Sequence, residues 1–295
     1  MPIDVSIIIV NYNTKDLIRN CLNSVYEHTK DVVFEIIVSD NGSTDGSVEM
    51  IKNDFPQIIL IENNANLGFG AANNRAMKIA RGKYIFYLNS DTILLNNAVK
   101  KFFDYWEKSN EKLGALGCVL FNKDLKEVTS SANFPTYIRE FVLLIKLFLE
   151  SVGIKKIYYK LRNKSPIQKR GLVDFVCGAD LFLLNNESAL FDERFFMYFE
   201  ESDLQYRLNR QGFIAKIIET PRIIHLCGGS EKQNNDSYSF KKKTSLFFWD
   251  SCLKYLSKNA KNKFLFWFMK FCIKAIYGLP QLSTFYKENQ FLVDF

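Results

Sequence analysis

The sequence predicts an α/β fold: a mostly parallel sheet flanked by helices, with a basic, aromatic helical insertion and further helices at the C-terminus. Three observations predict it. Over the first 121 residues, short Ile- and Val-rich runs alternate with longer amphipathic ones, which is the pattern of β-α-β units. Each apolar run is too short for a buried helix and ends on polar residues. From residue 134 the composition turns basic and aromatic, and the helical period takes over.

Taken in order, Val5–Val10 reads as the opening strand, followed by a helix over 15–28. Glu35–Ser39, Ile58–Ile61, Lys83–Leu88 and Ala115–Phe121 continue the sheet, separated by helices over 44–53, 70–81 and 96–108. Gly82 is expected to cap the third of these helices. In the insertion over 134–170, Phe141, Leu144, Ile145, Phe148 and Leu149 recur at helical spacing among Lys and Arg. After Asp174 the sheet pattern resumes, with a helix over 203–211 and a strand over 213–218. The stretch from Phe240 is again Lys-rich, with Phe264, Trp267, Phe268, Phe271 and Cys272 on one helical face. The expected organisation is one domain over 1–235, containing the insertion, and an amphipathic helical region over 236–295.

A net charge of +7, from 39 Lys plus Arg, suits an anionic partner: nucleic acid, a phosphorylated ligand or an acidic bilayer surface. The six cysteines stand singly without a CxxC pair, which argues for reduced thiols rather than a zinc site or a disulfide framework. The chain opens directly on a strand without the pattern of a signal peptide, and no run of about 18 apolar residues occurs. A cytoplasmic protein without a spanning helix is the expectation. Phosphate-loop and nucleophile-elbow motifs are absent. Gly68-Phe69-Gly70-Ala71-Ala72-Asn73 is not a dinucleotide fingerprint, because it ends on Asn and follows the third strand rather than the first.

In an open parallel sheet, ligands bind beyond the carboxyl ends of the strands. Here those ends carry Asn11 to Asn13, Asp40 to Ser43, Glu62 to Asn64 and Asn89 to Asp91. Asn and Asp favour turns in any case, yet four polar ends on one edge point to a ligand. A hard divalent cation takes one or two protein carboxylates plus diphosphate oxygens, a role open to Asp91; the alternative is a helix cap. Glu200, Glu201 and Asp203 form a second acidic cluster. Ser202 and Gln205 read as a capping box, which leaves Glu201 in the loop and available as a general base, while Asp203 suits the helix dipole. His225 precedes Cys227-Gly228-Gly229-Ser230, a segment that lets backbone approach a phosphate, and can ligate metal or diphosphate.

These motifs together resemble family 2 glycosyltransferases of the GT-A, Rossmann-like fold, most closely the rhamnosyltransferase-like branch, over roughly residues 3–230. Val5 to Asn13 resembles the opening strand and nucleotide loop, Val38 to Gly46 the base-binding loop, and Asn66 to Asn74 the segment under the donor. Asn89-Ser90-Asp91 is similar to the Asp-x-Asp metal motif with its last acid kept. Phe191 to Leu204 resembles the stretch ending in Glu-Asp-x-Asp-Leu, with Glu201 in place of the second acid. His225, Gly228 and Ser230 match a His-x-x-Gly-x-Ser segment.

The resemblance implies a hexosyltransferase that uses Mg²⁺ or Mn²⁺ held by Asp91 and His225, with Glu201 as base and inversion at the anomeric carbon. It implies that Asn11, Tyr12, Asn13, Asp40, Asn66, Gly68, Asn73, Asn89 and Ser90 hold the donor nucleotide, with Asp40 on a pyrimidine base. Gly178, Ala179 and Asp180, with Glu200 and Asp203, would border or support the acceptor site. The partners implied are a dTDP- or UDP-sugar and a glycan or polyprenyl-diphosphate-linked acceptor, at the inner membrane surface, and not nucleic acid. The basic aromatic stretches read as interfacial helices, or alternatively as a helical subdomain or dimer contact. A sugar nucleotidyltransferase and a catalytically silent nucleotide-binding or scaffolding relative are the competing readings.

Overall fold

A computed structural model describes residues 2–151, 170–226 and 237–277. The chain runs β1 (Val5–Asn11), α1 (Lys15–His28), β2 (Phe34–Asp40), α2 (Ser47–Asp54), β3 (Ile59–Glu62), α3 (Phe69–Met77), β4 (Tyr84–Leu88), β5 (Thr92–Leu94), α4 (Ala98–Lys108) and β6 (Leu113–Phe121). There follow β7 (Glu127–Val128), β8 (Ser131–Ala132), α5 (Tyr137–Ser151), β9 (Gly171–Val173), β10 (Phe175–Val176), β11 (Asp180–Leu184), α6 (Glu200–Asn209), β12 (Ile214–His225), α7 (Ser237–Asn259) and α8 (Lys263–Tyr277).

The main sheet has the order β3-β2-β1-β4-β11-β6-β12-β5. β3, β2, β1 and β4 are mutually parallel, as are β6 and β12, while β11 runs antiparallel between β4 and β6. The sheet is buried on both faces, which is why its strands are continuously apolar rather than alternating. The period of two still sorts the side chains. Val5, Ile7 and Ile9 of β1 enter one core with Ile18, Leu22 and Val25 of α1 and Phe102 of α4, and Ile8 enters the other with Ala76 of α3 and Leu204 of α6.

Four sequence expectations are corrected. The third helix ends at Met77, so Gly82 does not cap it. Gly82 is instead pressed against β1: its N–H donates to Ser6 Oγ at 2.8 Å, and a Cβ there would meet the Ser6 nitrogen at 2.4 Å. The helix expected over 203–211 starts at Glu200, and the strand expected over 213–218 continues to His225 through a register shift between Ile218 and Ile223. The capping box does not form, because Ser202 Oγ donates to the Phe199 carbonyl and the Gln205 amide bonds both N–H and C=O of Val176.

A third core joins α5, the 195–199 loop, α7 and α8 through Tyr137, Leu144, Phe195, Phe199, Trp249, Tyr255, Met269 and Ile273. Its polar fastening is Asp203, fully buried on α6, which accepts from Lys258 at 2.8 Å, Asn259 at 3.0 Å and Arg207 at 3.2 Å. Lys258 also reaches Asp192 at 2.8 Å, and the Asp192 carboxyl lies well below the usual carboxylate range: hydrogen bonds from Arg194 and Lys258 outweigh the opposing effect of burial. Of the expected insertion, residues 152–169 lie outside the described residues.

Candidate active site

The polar edge predicted from the strand ends is assembled by side-chain amides. At the paired ends of β1 and β2, Asn11 Nδ2 donates to Asp40 Oδ2 at 2.7 Å and to Ser43 Oγ at 3.0 Å. The other Asp40 oxygen accepts from the N–H groups of Gly42 and Ser43 at 3.0 and 2.8 Å. Asp40 is thus buried and bonded at both oxygens within its own loop, which fixes its orientation. Asn13, at a φ of 53°, accepts from the Thr44 N–H at 2.8 Å, and Tyr12 beside it is exposed. Thr14, which sequence reading passed over, donates to Asn11 Oδ1 at 2.6 Å and lies 3.0 Å from Ser90 Oγ, tying the loop after β1 to the Asn89-Ser90-Asp91 turn.

The segment from Asn66 to Asn73 is clamped from two sides. Asn66 Oδ1 accepts from the Gly68 N–H at 3.0 Å, and Asn41 Nδ2 donates to the Gly68 carbonyl at 3.1 Å. From the other side, Phe69 N–H donates to the Phe196 carbonyl at 2.9 Å. Asn73 Nδ2 returns to the Phe69 carbonyl at 3.0 Å. Nothing in the local pattern signals the role of Phe196, which lies more than a hundred residues from its partner.

At the end of β12, His225 Nε2 stands 3.2 Å from Asp91 Oδ1, with Asn89 Nδ2 at 3.5 Å from the same nitrogen. The register His225 to Thr92 on β5 and the bond from Leu226 N–H to the Asp91 carbonyl at 2.9 Å bring the two together. Both expected metal ligands therefore share one locus. Among the described residues no cluster of three or more His, Cys, Asp or Glu forms. Cys227, Gly228 and Ser230 lie outside the described residues.

The second half of the site is the turn before β11. Asn89 N–H donates to the Ala179 carbonyl at 3.1 Å, and a Cβ on Gly178 would stand 3.4 Å from the Phe69 ring and 4.0 Å from Glu201 Cβ. The turn thus spans from the Asp91 side to the acid cluster. Asp180 is fully buried; one oxygen accepts from the Cys118 N–H at 2.6 Å and the other finds no partner. Burial pushes its carboxyl up to about 7.

Glu200 and Glu201 open α6 directly after Tyr198 and Phe199, whose φ values of 70° and 67° are uncommon for bulky residues. Their rings pack on Phe248, and Ser251 Oγ donates to the Met197 carbonyl at 2.8 Å, so α7 holds the turn that aims the two acids. Glu201 lies in the first helical turn, not in a preceding loop. Each acid has an inaccessible oxygen without a hydrogen-bond partner. Burial first and the Glu201 charge second raise the Glu200 carboxyl above the usual value, and burial raises the Glu201 carboxyl as well. Asp203, two residues on, faces α7 and serves as the anchor described above.

The profile of Glycosyl transferase family 2 matches residues 6–174, more than half of the chain. The chain belongs to glycosyl transferase family 2. Among curated relatives of this family 2 chain, a poly(ribitol-phosphate) beta-glucosyltransferase of Bacillus spizizenii is 36% identical over 118 residues, covering 38% of this chain and 18% of the relative. An N-acetylglucosaminyl-diphospho-decaprenol L-rhamnosyltransferase of Mycobacterium tuberculosis is 25% identical over 207 residues, covering 64% of this chain and 66% of the relative. The chain therefore spans less than two thirds of the length of these relatives. A mannosyltransferase from Pyrobaculum calidifontis, solved with GDP-Man and Mn²⁺, superposes with a TM-score of 0.56 at 15% identity over 95% of this chain and 72% of the other. That likeness establishes the GT-A fold. No described helix of the family 2 chain is long and apolar enough to cross a membrane.

Proposed function

We propose that this family 2 chain is an inverting, divalent-cation-dependent glycosyltransferase. It moves rhamnose or another hexose from a dTDP- or UDP-activated donor to a glycan or lipid-linked acceptor in bacterial-type surface polysaccharide synthesis, as a peripheral protein on the cytoplasmic face of the membrane. The observation that carries this reading is the Gly178-Ala179 turn, bonded through Ala179 to the Asn89-Asp91 segment and packed through Gly178 beside Glu201. The Asp91–His225 pair and the Glu201 carboxylate thus adjoin the two ends of one turn. The names of the relatives, which specify sugar transfer to cell-surface polymers and to a diphospho-decaprenol carrier, support the substrate class.

Asp91 and His225 fit a divalent cation: a carboxylate oxygen and an imidazole nitrogen 3.2 Å apart are donors that would hold it beside a diphosphate. When bound, the cation neutralises charge on the departing nucleoside diphosphate. The protein side of the chemistry is proton removal and orientation. Glu201 accepts the proton of the acceptor hydroxyl as the hydroxyl oxygen bonds to the anomeric carbon and the bond from that carbon to the diphosphate breaks. A single displacement inverts the configuration. Asn66, Gly68 and Asn73 keep the backbone under the donor fixed, so little of the binding energy is spent on ordering it.

The deciding experiment is isothermal titration with UDP, dTDP and GDP, with and without Mn²⁺ or Mg²⁺. Binding of one nucleotide that needs metal and is lost in Asp91→Ala is expected. Absence of binding to all three, or binding indifferent to both metal and Asp91, refutes the proposal.

A further inference from the structure

We propose that the outer faces of α8 and α5 form a docking surface for an anionic lipid bilayer, with the aromatic stripe of α8 lying in the headgroup boundary. The proposal rests on the reading of a lipid-linked acceptor given above, and it assigns the contact to particular residues.

Helix α8 divides its apolar residues between two jobs. Met269 and Ile273 are buried in the third core, which fastens the helix to α5 and α7. Phe264, Trp267, Phe268 and Phe271, spaced i, i+3, i+4 and i+7, lie on the other side with 78%, 63%, 44% and 68% of their surface exposed. That stripe therefore contributes little to holding the fold. It continues onto α5, because Phe268 packs on Phe141 with ring centroids 5.4 Å apart, and Ile138, Val142 and Ile145 are exposed on α5 as well. A contiguous apolar patch on a protein surface marks an interaction site.

Charge selects the occupant. Residues 263–277 contain no Asp or Glu, and Lys263, Lys270 and Lys274 are all exposed, recurring at i, i+7 and i+11 along one flank of the stripe. Lys270 Nζ sits 5.0 Å from the Trp267 ring centroid, so a cation rides at the margin of the deepest aromatic side chain. Lysine stems can lie along apolar surface while their heads meet lipid phosphates. A second copy of the chain would set the same row of lysines against itself, which disfavours self-association through this face. At 15 residues, α8 is about 22 Å long, short of the roughly 30 Å hydrocarbon core, so it lies in the interface plane rather than across it.

The test is flotation of the full chain with phosphatidylcholine vesicles, with and without about a third of phosphatidylglycerol, together with tryptophan emission. Of the three tryptophans, Trp249 is buried and Trp106 half-buried, so a blue shift on vesicle addition reports Trp267. Binding to the anionic vesicles with a blue shift that Trp267→Phe removes is expected. Lys270→Ala with Lys274→Ala should weaken partitioning about 25-fold, at roughly fivefold per lysine. Equal binding of neutral and anionic vesicles, or unchanged partitioning in Phe264→Ser/Phe271→Ser and in the lysine pair, overturns the proposal. So does a dimer of the wild type that these variants dissociate in the absence of any vesicle binding. Thermal melting of each variant shows whether it is folded, and the lysine pair keeps the test valid if an aromatic variant is not. Nucleotide titration in solution is run in parallel: vesicle binding without nucleotide binding upholds the surface and sinks the enzymatic reading, and the reverse result does the opposite.

Discussion

Replacing Gly68 with Ala tests whether the 66–74 segment, proposed to lie under the donor, is built against the 191–199 loop. Gly68 has φ 83° and ψ 179°, a region open essentially to glycine alone, and entering it with a side chain costs about 1 to 3 kcal/mol. The new Cβ would stand 2.2 Å from the Phe196 carbonyl oxygen and 2.9 Å from its carbon. Those atoms are backbone and cannot swing aside. Relief requires the two loops to separate, which breaks the 2.9 Å bond from Phe69 N–H to the Phe196 carbonyl, a further loss of about 1 kcal/mol. The sum is about 2 to 4 kcal/mol, which for a chain of 295 residues corresponds to a fall in melting temperature of about 3 to 7 °C. The assays are calorimetric melting and nucleotide titration, and weaker binding should accompany the lower melting point because Asn66 and Asn73 bond to the same segment. A variant that melts within a degree of the wild type and binds nucleotide equally well would refute the close approach and the role assigned to this loop.

Other perturbations bear on separate parts of the molecule. Glu201→Gln should leave nucleotide affinity within about twofold while lowering kcat by at least about 100-fold, the usual worth of a general base; full turnover removes Glu201 from that role. Because burial raises the Glu201 carboxyl and the base must be ionised, kcat should decline on the acid side at a pH above the ordinary Glu value, and a midpoint at or below 4.5 contradicts the assignment. Asp203→Ala strands Asn259 and removes one of two carboxylates from Lys258, so urea melts should show a loss of about 3 to 5 kcal/mol; a loss under 1 kcal/mol means that α7 is not fastened there. Asp180, raised by burial from 3.8 to about 7, favours folding fully below about pH 4 and loses that contribution as pH rises through 7, up to about 4 kcal/mol. Asp180→Asn should therefore gain stability relative to wild type at pH 8 but not at pH 4, and a gain independent of pH would be evidence against the buried charge.

Much of the fold was legible because it follows from periodicity that the chain carries locally. The sequence places β1, β2, β4 and β6 within a few residues of their observed bounds, since strands buried on both faces must be continuous runs of Ile, Val, Leu and aromatic residues. The strand ends also announced the polar edge: Asn11, Asp40 and Asn89 sit where an open sheet exposes its carboxyl termini. What local signals decided wrongly was the start of α6, where Ser202 and Gln205 satisfy the pattern of a cap but spend their hydrogen bonds on Phe199 and Val176. The cap pattern reports only what is available within four residues, and a buried partner 29 residues away outbid it.

By itself, the sequence determined the α/β class, the order of the first elements, the family and which polar residues stand at the strand ends. Only the tertiary structure decided which of them meet. Asp91 and His225 are joined by the antiparallel pairing of β5 with β12, and Glu201 is brought beside Gly178 by the packing of α6. Asp203 turned out to face Lys258 and Asn259 of α7. The helical period already sets Phe264, Trp267, Phe268 and Phe271 on one face of α8, but only packing against α5 and α7 decides that Met269 and Ile273 are hidden while Phe264, Trp267 and Phe271 stay exposed. The reason is physical: amphipathic period states that a helix has two faces, whereas the free energy of burying one of them depends on neighbours more than a hundred residues distant along the chain.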